Sequence, residues 1–187
     1  MKAKGVGTGL KPKFNSRKEI YRGRIVNLTV DEITTADGSE TIREVFHHPG
    51  GAAVVPILHN GDILLVKQFR YPMQEYLLEL PAGKIDAGEA PEVTAARELV
   101  EEVGFTAGVL KKIGEFYTTP GFCNEKIHLY LAKDLMASQK TPDFDEEIEV
   151  VRHPLKKLLE LIADGRIMDA KTIIGIQYLS LNQSWFS

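Results

Sequence analysis

The sequence predicts one α/β (α+β) domain with helices laid against sheet, and three observations carry that prediction. Short runs of β-formers bounded by turn signals fill the chain up to Ala132. An amphipathic helix interrupts them, and two further helical stretches follow. No internal repeat and no linker divides the 187 residues into comparable halves, and this length can bury a hydrophobic core.

Taken in order, residues 1–18 carry six basic residues, no acid and scattered glycines, and read as a flexible basic arm. Residues 19–30 and 40–48 alternate like strands, with Asp37-Gly38 as a hairpin turn between them. Ala52 to Leu58 is a buried strand by its apolar run. Asn60-Gly61 then predicts a type I′ hairpin into Ile63–Phe69. Pro72 and Pro81 bracket a short strand around Tyr76–Leu80. Pro91 to Val103 is a helix, because proline suits its first position and Gly104 the position just past its end. Val109–Tyr117 and Lys126–Ala132 are strands, with a turn at Thr119-Pro120-Gly121. A polar stretch at 138–147 reads as loop, Ile148–Val151 as a strand, and Pro154–Ala163 and Met168–Leu181 as helices.

Composition narrows the function. No stretch approaches the roughly 18 apolar residues of a membrane span, so a membrane role is not expected. Cys123 is the only cysteine, which removes an internal disulfide and multi-cysteine zinc sites and suits a reducing cytoplasm, although export by an atypical route stays open. The net charge of −3 announces no nucleic-acid surface. That charge is uneven: residues 83–105 alone hold six acids and two bases, leaving the remainder of the chain at +1.

Glu98, Glu101 and Glu102 stand at i, i+3 and i+4 and share one helix face, while Ala95, Leu99 and Val103 form a separate row for the core. Three carboxylates on one face repel each other, and Arg97, four residues before Glu101, offsets part of this. The plain reading is a solvated acidic surface. The chemical one is a hard divalent cation site with oxygen ligands. The wider spacing decides between them. Gly83 is followed after five residues by Glu89, and after seven more by Arg97-Glu98-Leu99-Val100-Glu101-Glu102-Val103-Gly104-Phe105. Seven fixed identities agree with the pattern G-x5-E-x7-R-E-U-x-E-E-x-G-U, where U is a bulky apolar residue. At roughly 6% per residue type, chance agreement is on the order of one in a million. Phe105 departs mildly, since an aliphatic residue is more usual there.

The chain therefore resembles the Nudix hydrolases. The resemblance implies a Nudix-type α/β/α sandwich with a mixed sheet over residues 49–187, and an additional N-terminal antiparallel β region over 19–48 that serves dimerisation and base binding. It implies hydrolysis of a nucleoside diphosphate linked to another group, with Mg²⁺ or Mn²⁺ as cofactor. Glu98 and Glu102 look like the principal metal ligands, with Glu101 in the cluster and the Ala82 carbonyl as a further ligand. Arg97 would hold the carboxylates in place, Gly83 would permit the tight loop turn, and Glu89 would brace the loop or share the metal. Metal charge neutralises the pyrophosphate and holds it in line, and a general base completes such a site.

The flanks resemble the ADP-ribose pyrophosphatase subgroup: Arg43-Glu44, His48-Pro49-Gly50, Gln68-Phe69-Arg70-Tyr71-Pro72, Leu78-Glu79-Leu80-Pro81-Ala82, and Pro120, which lies 16 residues past Gly104 and is followed by Glu125. Asp169-Ala170-Lys171 is similar to a motif of the broader nucleoside diphosphate sugar hydrolases, although Asp169 could equally serve the first turn of its helix. Arg70 and Arg43 are placed near phosphates or terminal ribose, because guanidinium binds phosphate bidentately, with a plain surface role open for Arg43. Glu79 and Glu125 could bind sugar hydroxyls or support the metals.

In this subgroup the catalytic base sits on a loop after the last long strand. Here that points to Glu146, with Glu147 as its rival and a base within the box as the other option, Glu101 being the box member placed with Arg97 in the catalytic set. Phe14 and Tyr21 are candidate base stackers across a dimer. His47 and His48 are poor joint ligands because neighbours on a strand face opposite ways. The expected substrate is a small nucleoside diphosphate sugar, ADP-ribose included, and the expected assembly a homodimer, since the 19–48 hairpins would otherwise expose edges. A strict ADP-ribose pyrophosphatase is the nearest alternative. A non-catalytic nucleotide sensor is the alternative from another class, and the intact box carboxylates speak against it.

Overall fold

The computed structural model describes residue 9 and residues 11–139 and 148–182. The chain divides into two compact units, residues 1–48 with 119–125, and residues 49–118 with 126–187.

The first unit is a three-stranded antiparallel sheet ordered β1 (Lys13–Arg22), β2 (Asn27–Thr34), β3 (Glu40–His47). The basic-arm reading is corrected from residue 13 onward. Strand β1 begins inside that span, and a turn closed by Gly23 N–H to Val26 O (3.0 Å) splits the run that read as one strand over 19–30. The cause is plain in the burial: every residue of β1 is exposed, so no apolar alternation marks it. Its register is held by polar pairs instead, notably Arg17 clasping Asp31 at 2.7 and 2.6 Å. The Asp37-Gly38 turn does join β2 to β3, with Gly38 at φ 86° where a side chain would be strained. The 119–125 loop returns to β3 through Phe46 N–H to Phe122 O (2.8 Å) and an edge-on Phe46–Phe122 contact.

The second unit contains two sheets, ordered β7 (Ala82–Lys84), β4 (Gly51–Pro56), β9 (Lys126–Ala137), β8 (Phe105–Tyr117), and β10 (Ile148–Pro154), β5 (Asp62–Arg70), β6 (Glu75–Glu79). Strands β4 and β9 run parallel and all other pairs antiparallel. The alternation of β4, β5 and β9 sends side chains to two separate cores. Ala53, Val55, Ile63, Leu65 and Leu129 meet α2 (Leu155–Ala163) and α3 (Ala170–Leu181) through Leu158, Leu161, Ile176 and Leu179. Ala52, Val54, Leu64 and Val66 meet α1 (Pro91–Val103) through Ala95, Leu99 and Val103. The result is the α/β/α layering that the sequence predicts.

Helix α1 has the predicted limits, with Pro91 at its start and Gly104 left-handed at φ 75° as its cap. The Asn60-Gly61 hairpin differs from expectation. Gly61 takes φ 84° but Asn60 does not take a positive φ, so the loop is a type I turn closed by a left-handed glycine. Ile57, just past the end of β4, makes one bridge to Ile63 of β5, and the two strands then part, because each finds its partners in a different sheet. Among the described residues no helix is long and apolar enough to cross a membrane.

Candidate active site

Helix α1 buries Leu99 and Val103 in the core, and its pitch places Glu98 and Glu102 beside them, both buried. Burial of carboxylates is costly without partners. The Arg97 guanidinium supplies one to Glu98 and gathers two further carboxylates. Its Nη1 donates to Glu98 Oε1 (2.6 Å) and Glu101 Oε2 (2.7 Å), its Nη2 and Nε reach Glu89 (3.2 and 3.3 Å), and Nη2 also approaches the Lys84 carbonyl (3.4 Å). Thr94 Oγ1 donates to Glu89 as well, at 2.7 Å. Arg97 and Thr94 hold the Glu89 carboxyl well below the usual range, which ties the 84–89 loop to the helix. Arg97 is thus a hub for three carboxylates, Glu89, Glu98 and Glu101.

The turn before the helix is shaped to the same group. A Cβ on Gly83 would lie 1.8 Å from Glu98 Oε1, so glycine is required there for Glu98 to reach its place. The Ala82 N–H donates to Glu102 Oε2 at 2.9 Å. Gly83→Ala should therefore displace the Glu98 carboxylate, a flexible end that can swing away. The melting temperature is expected to stay within about 3 °C of wild type while turnover falls about a hundredfold, read by thermal melts beside steady-state kinetics.

Oxygen donors of this kind suit Mg²⁺ or Mn²⁺. Glu98, Glu101 and Glu102 would supply them, joined by the Ala82 carbonyl. In the geometry at hand Glu98 and Glu101 turn to Arg97 and Glu102 to Ala82. Among the described residues no three acidic, imidazole or thiol groups already converge as an ion cage. The donor chemistry fits the cation, with the guanidinium standing amid the carboxylates.

A second cluster lies in the same unit. Arg70, at the end of β5, clasps Glu79 of β6 through Nε (2.6 Å) and Nη2 (2.8 Å). Lys171 of α3 bonds the same Glu79 and lies 3.1 Å from Asp169. Asp169 caps α3 by accepting from the Thr172 N–H (3.0 Å) and Oγ1 (2.6 Å), and Thr172 Oγ1 accepts from the Leu80 N–H (2.7 Å). The sequence did not reveal Thr172 as the link that joins helix to strand. Glu79 is 2% exposed, and that burial works against its charge. Arg70 and Lys171 outweigh it and hold the carboxyl at about 2. Both Glu79 oxygens are engaged by cations, so Glu79 fixes Arg70 and Lys171 in place. The Arg70 charge is further favoured by Glu102 and Asp169, which places the two clusters within electrostatic reach.

Other sequence candidates fall in the first unit. Arg43 is exposed on β3 and donates to its neighbour's carbonyl, Ile42 O, at 2.8 Å. Pro120 sits in the turn closed by Phe122 N–H to Thr119 O (3.2 Å). Glu125 pairs with His48 Nδ1 at 3.2 Å, while His47 Nε2 meets Thr29 Oγ1 at 2.9 Å, so the two histidines do diverge. Glu146 and Glu147 lie outside the described residues.

The layered fold, the glycine turn and the arginine-bound carboxylate helix together define a Nudix chain. Residues 47–173 match the NUDIX domain model, and the chain belongs to that family. It is 40% identical over 177 residues to an ADP-ribose pyrophosphatase of Bacillus subtilis, covering 94% of this chain and 96% of that one. It is 38% identical over 181 residues to a methanol dehydrogenase activator of Bacillus methanolicus, covering 96% and 98%. It is 38% identical over 154 residues to a GDP-mannose pyrophosphatase of Yersinia enterocolitica, covering 76% and 80%. A crystal structure of an ADP compounds hydrolase superposes with a TM-score of 0.83 over 96% of both chains at 23% identity, a likeness of fold.

Proposed function

We propose that this chain is a pyrophosphatase that hydrolyses nucleoside diphosphate sugars, ADP-ribose among them, to a nucleoside monophosphate and a sugar phosphate, with Mg²⁺ or Mn²⁺. Water adds to one phosphorus, the anhydride P–O bond breaks, and the released phosphate leaves as the second product. The observation that carries the reading is the pair of cations, Arg70 and Lys171, fixed by buried Glu79 within electrostatic reach of Glu102. Such an array offers both bidentate phosphate binding and a point charge for a polar sugar. The names of the pyrophosphatase relatives point the same way.

The cation, when bound, neutralises phosphate charge and activates water. Glu98, Glu101, Glu102 and the Ala82 carbonyl are its proposed ligands, and Arg97 keeps Glu98 and Glu101 aligned. Glu146 is the proposed proton acceptor, on the resemblance alone. Arg43, Pro120 and Glu125 are proposed to contact substrate. A homodimer is proposed because the first unit exposes Phe14, Ile20, Tyr21 and Ile42 on its two long edge strands, a surface that proteins usually cover. The single unpaired cysteine supports a reducing, cytoplasmic setting.

The test is a panel of ADP-ribose, ADP-glucose, GDP-mannose, UDP-glucose and dATP, with and without Mg²⁺, scored for monophosphate and sugar phosphate. Cleavage of several sugar nucleotides supports the broad reading, and cleavage of ADP-ribose alone the strict one. Lys171→Ala sharpens the choice. Under the broad reading it should lower kcat/KM about tenfold or more for the hexose nucleotides and less than about threefold for ADP-ribose. Equal losses would mean that Lys171 acts only through Glu79. Absence of cleavage across the panel would sink the pyrophosphatase reading.

A further inference from the structure

Strand β5 turns Leu64, Val66, Gln68 and Arg70 to the face covered by α1, where Leu64 and Val66 pack with Leu99 and Val103. The residues paired with Gln68 across the sheet are Ile148 on β10 and Leu77 on β6, and Ile148 packs on that same core. An apolar side chain would continue this pattern, yet a carboxamide stands there. Gln68 is 7% exposed, and its Oε1 is fully buried with no hydrogen-bond donor among the described residues. Buried carbonyl oxygens are otherwise paired, and leaving one bare weakens a fold that Leu or Met would not weaken. Two residues along the same face, Arg70 clasps Glu79 within electrostatic reach of Glu102. Gln68 thus stands on the same strand face as Arg70, two residues before it.

We propose that Gln68 is a further substrate-positioning residue, whose Oε1 accepts a hydrogen bond from an O–H donor that enters with the substrate. Ionised phosphate oxygens have no proton to give, so the donor is a hydroxyl of the sugar or a water at the pyrophosphate. The inference rests on the pyrophosphatase reading above.

Gln68→Met removes the acceptor at nearly constant volume, and Gln68→Leu repeats the test with a second apolar shape. Each is compared with wild type on ADP-ribose and on the ethyl ester of ADP, which has the pyrophosphate and no second sugar. The expected result is a roughly fivefold to tenfold loss in kcat/KM for ADP-ribose, with a melting temperature at or above wild type. A rise in KM confined to ADP-ribose identifies a sugar hydroxyl. A loss in kcat on both substrates identifies water. Unchanged constants on both substrates overturn the proposal, as does a lowered melting temperature with activity lost only in proportion to unfolded protein. If wild type cleaves neither substrate, the ADP-ribose part of the pyrophosphatase reading fails by itself. Calorimetric binding of the uncleavable α,β-methylene analogue of ADP-ribose then decides for Gln68: about fivefold weaker binding by the variant supports it, and equal binding overturns it.

Discussion

Glu102→Gln is expected to lower turnover of ADP-ribose about a thousandfold while the protein stays folded. Glu102 is 3% exposed and accepts the Ala82 N–H at 2.9 Å. Glutamine keeps the shape and can still accept that bond, so the turn before the helix is retained. What disappears is one negative charge at the centre of the proposed cation site. A buried charge acts in a medium that screens it far less than water, and its loss is correspondingly large. The same charge favours the Arg70 cation, so substrate affinity should also change, by a smaller factor. The measurement is kcat and KM at saturating Mg²⁺, beside a circular-dichroism melt. Near-normal turnover with an unchanged melt would remove Glu102 from the chemistry and leave it a structural cap for residue 82.

Glu79→Ala is expected to destabilise the protein by about 2–4 kcal/mol, or roughly 5–15 °C in melting temperature for a chain of this size. It leaves Arg70 and Lys171 without the carboxylate that binds both. The Lys171 side chain is 12% exposed and retains only Asp169, whereas Arg70 is 34% exposed and can rehydrate. Glu79→Gln, which keeps the shape and one acceptor, should recover part of the stability but little of the activity, because the charge fixes both cations. The same residue sets an acid limit. Its folded value of about 2 lies below the ordinary 4.5, so its stabilisation, on the order of 3 kcal/mol, is fully present above about pH 4.5 and is lost as pH falls toward 2. In Glu79→Ala that portion of the acid dependence should vanish. A mutant whose acid unfolding curve superposed on that of wild type would refute the buried ion cluster.

The acidic helix was legible because its information is local. Helical spacing, a proline at the start, a glycine at the end and seven residues at fixed intervals are all properties of consecutive sequence, and α1 forms over Pro91–Val103 as they require. The carboxylates Glu98, Glu101 and Glu102 were legible for the same reason. So were the strands whose residues alternate or run apolar, since burial on one face or both dictates that pattern. Strand β1 left no such trace. Exposed along its whole length, it owes its register to Arg17–Asp31, Ser16–Glu32 and Asn15–Thr34, pairs that join residues 14 to 19 apart. The separation of β4 from β5 was equally hidden, because a turn signal governs how a chain reverses and not which sheet each arm enters. The Glu79 cluster needed tertiary structure most. Arg70, Glu79, Asp169 and Lys171 could each be singled out, but a separation of 92 residues between Glu79 and Lys171 carries no geometry. Packing of α3 over the strands brings them together. Sequence alone pointed to the kind of chemistry, a carboxylate helix that would serve a hard cation beside a phosphate substrate. The tertiary structure decided which charges meet: the oxygens that Arg97 gathers, the two cations that Glu79 fixes, and the carbonyl of Gln68 that nothing in the described fold partners. Local patterns are set by each element's own period and burial. Long-range pairing is set by the packing of all elements at once.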